Sequence, residues 1–185
     1  MTARKLTEKQ VLLSFYITQL IMMVIGFPLL WWQGHFNEGY FGFSNIDMWI
    51  WGASLGLLIV CIELILIQMV PQDWMDDGGI NHLLLKNRSF LHICWIACIA
   101  GVVEEILFRG VIQEWLGIWG STMLFALLHT RYLHKWLLFS FVVGISILFG
   151  FIVEWTGQLA PVIIAHTVID LLMGLYMRFF TLKEG

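Results

Sequence analysis

The sequence contains few charged residues. Only 12% of its 185 residues are Asp, Glu, Lys or Arg, whereas 59% are hydrophobic and the mean hydropathy is +0.83. A typical soluble domain carries about 25% charged residues, so this composition excludes an ordinary soluble domain and favours a protein whose solvent is the lipid bilayer. The net charge of −3 is too small to indicate a nucleic-acid or strongly acidic partner.

Cysteine is also scarce, and no internal repeat or low-complexity tract is visible. The three cysteines, Cys61, Cys94 and Cys98, all lie in apolar runs, so neither a disulfide framework nor a metal-binding pair is indicated. The first apolar run follows a basic start, but it is too long for the hydrophobic region of a signal peptide and no small-residue cleavage site follows it. We interpret residues 1–185 as a single integral membrane domain.

Long apolar runs make up most of the chain. A helix needs about 20 apolar residues to cross a hydrocarbon core about 30 Å thick. Five runs approach that length: 11–32, 48–70, 90–108, 136–153 and 159–180. A shorter run at 116–128 either crosses the membrane or is re-entrant. The sequence therefore predicts an all-α, polytopic bundle of about six transmembrane helices.

The basic residues predict the orientation of this bundle, because lysine and arginine near helix ends remain on the cytoplasmic side. With six crossings, nine of the ten basic residues fall on one side: Arg4, Lys5, Lys9, Lys86, Arg88, Arg131, Lys135, Arg178 and Lys183. We expect a multi-pass protein of the cell membrane with both termini in the cytoplasm. Tryptophans mark the opposite, outer interface: Trp31, Trp32, Trp49, Trp51, Trp115, Trp119 and Trp155.

Two adjacent carboxylates interrupt the third apolar run, in the segment GVVEEILFRG at 101–110. A charge in the middle of a membrane helix costs about 2.5–3.5 kcal/mol, so both carboxylates need compensation. Arg109 lies four residues after Glu105 on the same helix face, where the two can form an ion pair. Glu104 points about 100° away, towards a different neighbour. Because ionisable residues inside membranes are usually functional, a site is favoured over a simple ion pair at a helix end.

Two further segments repeat a spacing of four. Phe125 and His129 share a helix face in LFALLHT, and His166 and Asp170 share one in AHTVID. At 1.5 Å per residue, one layer about 9–16 Å below the outer edge of the core contains Glu104, His129, His166 and Asp170. We therefore expect one shared cavity, opening towards the outer side.

Together these polar residues are the side chains that a water-activating site needs. Glu104, whose carboxylate is not expected to pair with Arg109, would act as general base, and His129 would orient the attacking water. His166 and Asp170 would hold the developing oxyanion. A Zn²⁺ site built from the same four residues is the alternative, with the glutamate as base or as ligand. Glu63 is placed near the inner interface and is interpreted as structural.

Together these motifs resemble the CAAX-processing and bacteriocin-processing (CPBP, or Abi) family of intramembrane proteases. The matching residues are Glu104, Glu105 and Arg109 for EExxxR, Phe125 and His129 for FxxxH, and His166 and Asp170 for Hxxx(N/D). The resemblance covers residues 90–180, the four-helix catalytic core of the family. It implies an all-helical endopeptidase that cuts peptide bonds near the membrane, with Glu105, Arg109 and Phe125 as supporting residues.

The resemblance also implies roles and substrates. Glu104 and His129 activate water, and His166 and Asp170 stabilise the oxyanion. The family has been described both as metalloproteases and as glutamate-type proteases, which need no cofactor, so both alternatives stay open. Asp170 stands where the CAAX-processing branch has asparagine, which favours a bacterial-type relative. We therefore expect hydrophobic or secreted peptides, rather than prenylated proteins, as substrates.

Two other classes of protein are alternatives. A proton-coupled transporter also carries carboxylates at mid-membrane, but it is typically built from two repeated halves with broken helices. A non-catalytic regulator of a membrane partner would not depend on Glu104. The expected partners are a peptide or membrane-protein substrate and the bilayer, and the sequence gives no oligomeric state.

Overall fold

The structure, a computed structural model, describes residues 6–75, 77–129 and 132–180, and these ranges contain helices but no β-strand. The elements are α1 (Glu8–Trp32), α2 (Glu38–Phe41), α3 (Ile46–Met69), α4 (Gln72–Met75), α5 (Ile80–Leu85), α6 (Phe90–Glu105), a π-helical segment (Ile106–Ile112), α7 (Gln113–Leu128), α8 (Trp136–Thr156) and α9 (Ala160–Phe180). The predicted all-α class is confirmed.

Five stretches of the described ranges are long and apolar enough to cross a membrane, one fewer than the six predicted. The difference arises because α6, the π-helical segment and α7 form one stretch of 39 residues, Phe90–Leu128. Gly117 breaks this stretch with φ 66° and ψ −179°, a conformation that glycine adopts without a side-chain clash. Ser121 Oγ then donates to the carbonyl oxygen of Phe108 at 2.7 Å, so the chain after Gly117 folds back.

The returning part of α7, residues 118–128, is too short to cross a membrane. At 1.5 Å per residue it is about 16 Å long, roughly half of a hydrocarbon core about 30 Å thick. The chain nevertheless returns to the end where α6 begins, because Lys135, just before α8, contacts Asp73 in the connection between α3 and α6, so a re-entrant segment does not fit.

Polar caps set the start of two long helices. Thr7 precedes α1, where Gln10 N donates to Thr7 Oγ1 at 3.4 Å and Thr7 N donates to Gln10 Oε1 at 2.9 Å. Ser89 precedes α6 and accepts from His92 N at 3.3 Å. These side chains satisfy backbone N–H groups that have no partner within the helix, so each apolar run begins its helix at a defined residue.

The loops lie at two ends of the bundle, and the described basic residues cluster at one of them, as the sequence predicted. At one end, Lys86 Nζ lies 3.4 Å from Glu8 Oε1, and Lys135 Nζ donates to the carbonyl oxygen of Asp73 at 2.6 Å. This end, here called the basic end, carries all the described lysines and arginines except one: Lys9, Lys86, Arg88, Lys135 and Arg178. Arg4, Lys5, Arg131 and Lys183 lie outside the described residues.

The other end is closed by packed side chains. Tyr40 links the α1–α3 connection to the π-helical segment and to the α8–α9 connection there, because its hydroxyl lies 3.4 Å from the carbonyl oxygen of Gly110 and its own carbonyl accepts from Leu159 N at 2.9 Å. Beneath it lies a layer of fully buried apolar residues: Leu30, Val111, Phe149, Leu159 and Val162. We call it the closed end. Predicted interface tryptophans pair there, with ring centroids 6.4 Å apart for Trp32 and Trp115 and 5.4 Å for Trp51 and Trp155.

Two glycines let α3 pack closely against α9. A Cβ atom at Gly56 would lie 2.8 Å from the carbonyl oxygen of Ala165 and 2.8 Å from Cβ of Val168. A Cβ atom at Gly52 would lie 2.5 Å from the carbonyl oxygen of Pro161. Small residues four apart are a common means of close packing between membrane helices. This contact fixes the position of α9, which carries the third motif.

Replacing Gly56 with leucine is therefore expected to separate α3 from α9 and to lower the thermal stability of the protein in detergent. Overpacking of a tight contact costs about 1–3 kcal/mol or more. Gly144→Leu is the matched control, because a Cβ atom at Gly144 meets nothing within 4 Å. Thermal unfolding of both variants measures the effect, and equal midpoints would contradict the close contact.

Candidate active site

One cavity of about 690 Å³ collects the polar residues of α6, the π-helical segment, α7 and α9. All seven residues of the three motifs line it: Glu104, Glu105, Arg109, Phe125, His129, His166 and Asp170. They come from two parts of the chain, the continuous stretch from α6 to the end of α7 and the later helix α9. The structure thus brings the predicted residues together, while their catalytic roles stay predictions.

The cavity extends to the basic end of the bundle. Its wall there includes Leu6 and Gln10 near the start of α1, Asn81 in α5 and Met177 near the end of α9. Among the described residues, the loops of the closed end contribute nothing to it. The predicted opening towards the other side is therefore wrong. The other end is sealed by apolar packing, and access therefore depends on which end of the bundle the helices leave open.

Glu104 faces α1. Its side chain is 9% exposed, and Gln19 Nε2 donates to its Oε1 at 2.8 Å. Gln19 is 5% exposed and was missed by the sequence interpretation. The available signal was a polar amide in the middle of an apolar span, where polar residues are costly and often functional.

Glu105 faces Arg109 and α9 and is completely buried. Its Oε2 lies 3.2 Å from Arg109 Nε, which confirms the predicted ion pair. Its Oε1 lies 2.7 Å from His166 Nδ1, a contact that the sequence did not predict. Glu105 therefore connects the π-helical segment to α9 and orients the histidine of the third motif.

Arg109 is buried among side chains and backbone of the neighbouring helices. It is 2% exposed, and its Nη2 donates to the carbonyl oxygen of Ser146 in α8 at 3.4 Å. Its Cζ lies 4.7 Å from the ring centroid of Phe125 and 5.7 Å from that of Phe149. Aromatic faces attract a guanidinium most strongly when water is excluded. Phe125 thus supports the arginine.

The π-helical segment begins directly after Glu105 and includes Arg109. Its wider turn changes which residues face the cavity, and π-helical turns occur frequently at functional sites. Gln113, just beyond it, donates through Nε2 to the carbonyl oxygen of Gly150 at 2.9 Å. The sequence carries no recognisable signal for this irregular turn.

Two histidines contribute differently. His129 ends α7, and its Nδ1 lies 2.9 Å from the carbonyl oxygen of Phe125. A carbonyl only accepts, so Nδ1 carries the proton and Nε2 is the acceptor nitrogen of the neutral ring. His166 Nε2 lies 3.6 Å from Asp170 Oδ2. The second histidine is thus held between two carboxylates, because Glu105 contacts its other nitrogen.

The zinc alternative stays a prediction beside the glutamate mechanism. Among the described residues, no three side chains of His, Cys, Asp or Glu are grouped to bind one metal ion. Glu104 is held by Gln19 and His166 by Glu105. No step of the mechanism below therefore passes through a metal.

Glu63 was interpreted as structural and near the inner interface, but the structure places it in the wall of the same cavity. Helix length bears on the depth of a residue but does not show which face of the helix it occupies. Its carboxylate is on α3, which the close glycine contacts hold against α9.

Comparison with known proteins agrees with the motifs. The family model described as type II CAAX prenyl endopeptidase Rce1-like matches residues 86–172, which include all three motifs. This chain belongs to that family of membrane-embedded endopeptidases, the CPBP family. It is 40% identical over 131 residues to a Bacillus subtilis protein described as uncharacterized protein YpbD, covering 70% of this chain and 69% of that protein. No solved structure matches the chain.

Proposed function

We propose that this protein is an intramembrane endopeptidase that cleaves a peptide bond in a hydrophobic or membrane-associated peptide or protein. The observation that supports it is the meeting of a glutamate, two histidines and an aspartate in one cavity of about 690 Å³. That volume lies within the range of about 300–1,000 Å³ that is typical of ligand sites.

Glu104 acts as the general base. Its Oε1 accepts from Gln19, so Oε2 is the oxygen that takes a proton from water in the cavity. The hydroxide so formed attacks the carbonyl carbon of the peptide bond. His129, whose protonated Nδ1 is held by a backbone carbonyl, accepts the second hydrogen of the water through Nε2 and orients it.

His166 stabilises the oxyanion of the tetrahedral intermediate. With Nδ1 bonded to Glu105, a protonated ring presents its Nε2–H to the cavity, where Asp170 Oδ2 lies 3.6 Å from that nitrogen. The intermediate then collapses, the carbon–nitrogen bond breaks, and Glu104 returns its proton to the leaving amine. Atoms and charges balance without a cofactor.

The substrate reaches this site from the cytoplasmic side. The basic end is assigned to the cytoplasm because lysine and arginine concentrate on that side of membrane proteins, and both termini then lie there as well. The cavity extends to this end. Its wall also includes apolar residues of α1, such as Val11, Phe15 and Met22, which suit a hydrophobic segment.

Chelation distinguishes this mechanism from the zinc alternative. Purified protein in liposomes is mixed with internally quenched hydrophobic peptides, some of which end in a prenylated cysteine motif. Cleavage is expected to persist in 1,10-phenanthroline, and metal analysis is expected to show no stoichiometric zinc. Loss of cleavage on chelation, restored by added Zn²⁺, would establish the zinc form. If no peptide is cleaved with or without the chelator, the transporter and the regulator become the favoured alternatives.

A further inference from the structure

The contact between Gln19 and Glu104 comes from outside the region that the family model matches. Gln19 lies in α1, whereas the matched residues are 86–172. The hydrogen bond from Gln19 Nε2 to Glu104 Oε1 is 2.8 Å long and buried. A donor to a carboxylate forms a charge-assisted hydrogen bond, which is shorter and stronger than a neutral one.

The rest of this amide has no structural use among the described residues. Gln19 Oε1 is buried and has no hydrogen-bond partner there. A buried acceptor without a partner is destabilising, and leucine at this position would avoid that cost. The glutamine is therefore best explained by the bond that it makes, because stability alone favours an apolar side chain in a membrane span.

We propose that Gln19 is a positioning residue for the general base: it holds Oε1 of Glu104 so that Oε2 faces the water to be activated. This inference rests on the proposed function. Without the amide, the carboxylate can rotate about its terminal bond, and neither oxygen is fixed towards the peptide bond. The consequence falls on the chemical step, since Gln19 acts through Glu104 and not through the substrate.

The test compares two buried glutamines. Gln19→Met keeps the length of the side chain and removes the donor. Gln113→Met makes the same change at the closed end, where the glutamine is 6% exposed, donates to a backbone carbonyl, and also has an Oε1 without a hydrogen-bond partner among the described residues. The substrate is the peptide of the quenched set that the wild-type protein cleaves fastest in liposomes.

Gln19→Met is expected to lower kcat by about 10- to 100-fold, the loss of one hydrogen bond to a charged group, with KM changed by less than about threefold. Gln113→Met is expected to keep the wild-type kcat, and thermal unfolding should show that both variants are folded. Gln19→Leu is a second apolar replacement, so the result does not depend on how methionine packs.

Two results would overturn the inference: a wild-type kcat in both Gln19 variants, or equal losses of kcat in Gln19→Met and Gln113→Met. Glu104→Gln is assayed alongside to separate this inference from the proposed function. If Glu104→Gln is inactive while the Gln19 variants have the wild-type kcat, only the positioning role fails. If Glu104→Gln cleaves at the wild-type rate, the proposed function itself fails.

Discussion

Replacing Glu104 with glutamine is expected to abolish peptide cleavage and to leave the helix bundle folded. Glutamine has nearly the same shape, and its side-chain oxygen can still accept from Gln19, but it cannot take a proton from water. General-base catalysis contributes about 10²- to 10⁴-fold to a rate, so kcat should fall by at least that factor. Cleavage of the quenched peptides in liposomes, with thermal unfolding in detergent, measures both parts of this prediction.

Glu114→Gln is the matched control for this variant. Glu114 lies at the closed end, where its Oε2 is 3.2 Å from His35 Nδ1 and the carboxylate is 44% exposed. A surface ion pair of this kind contributes little to stability, so the control should cleave and unfold like the wild type. Wild-type cleavage by Glu104→Gln, or equal losses in the two variants, would remove Glu104 as the base. A non-catalytic regulator would tolerate both changes.

The parts of the site that follow from local spacing were predictable from the sequence. Glu105 and Arg109 are four residues apart on one helix, and that separation alone places the two charges within reach. The contacts that cross between helices were not predictable. Gln19 reaches Glu104 across 85 positions and His166 reaches Glu105 across 61, and spacing along one helix says nothing about which face a distant helix presents.

The fold, like the site, was predictable only in part from the sequence. Hydropathy located the long spans because each must match the thickness of the hydrocarbon core. It did not show that the chain turns back at Gly117, because one glycine in an apolar run does not reveal its φ angle. Nor did it show which end of the cavity is sealed, since that depends on side chains from several helices, among them Leu30, Val111 and Leu159, packing into one layer.

Replacing Arg109 with methionine is expected to destabilise the bundle more than any other single change considered above. Glu105 is completely buried, and the variant would leave it with His166 as its described partner. Removing one member of a buried ion pair costs about 3–5 kcal/mol, because an uncompensated charge stays in a medium of low dielectric constant. Thermal or denaturant unfolding in detergent measures the loss.

The double variant Glu105→Gln with Arg109→Met shows whether the loss comes from that charge. When the carboxylate is removed together with the guanidinium, nothing charged is left unpaired, so part of the lost stability should return. Double-mutant cycles for residues in contact typically give coupling energies of about 0.5–3 kcal/mol. Additive losses in the two single variants and the double variant would mean that the ion pair does not stabilise the fold. In that case Arg109 would act through its contacts with Phe125 and Phe149, which methionine replaces in part.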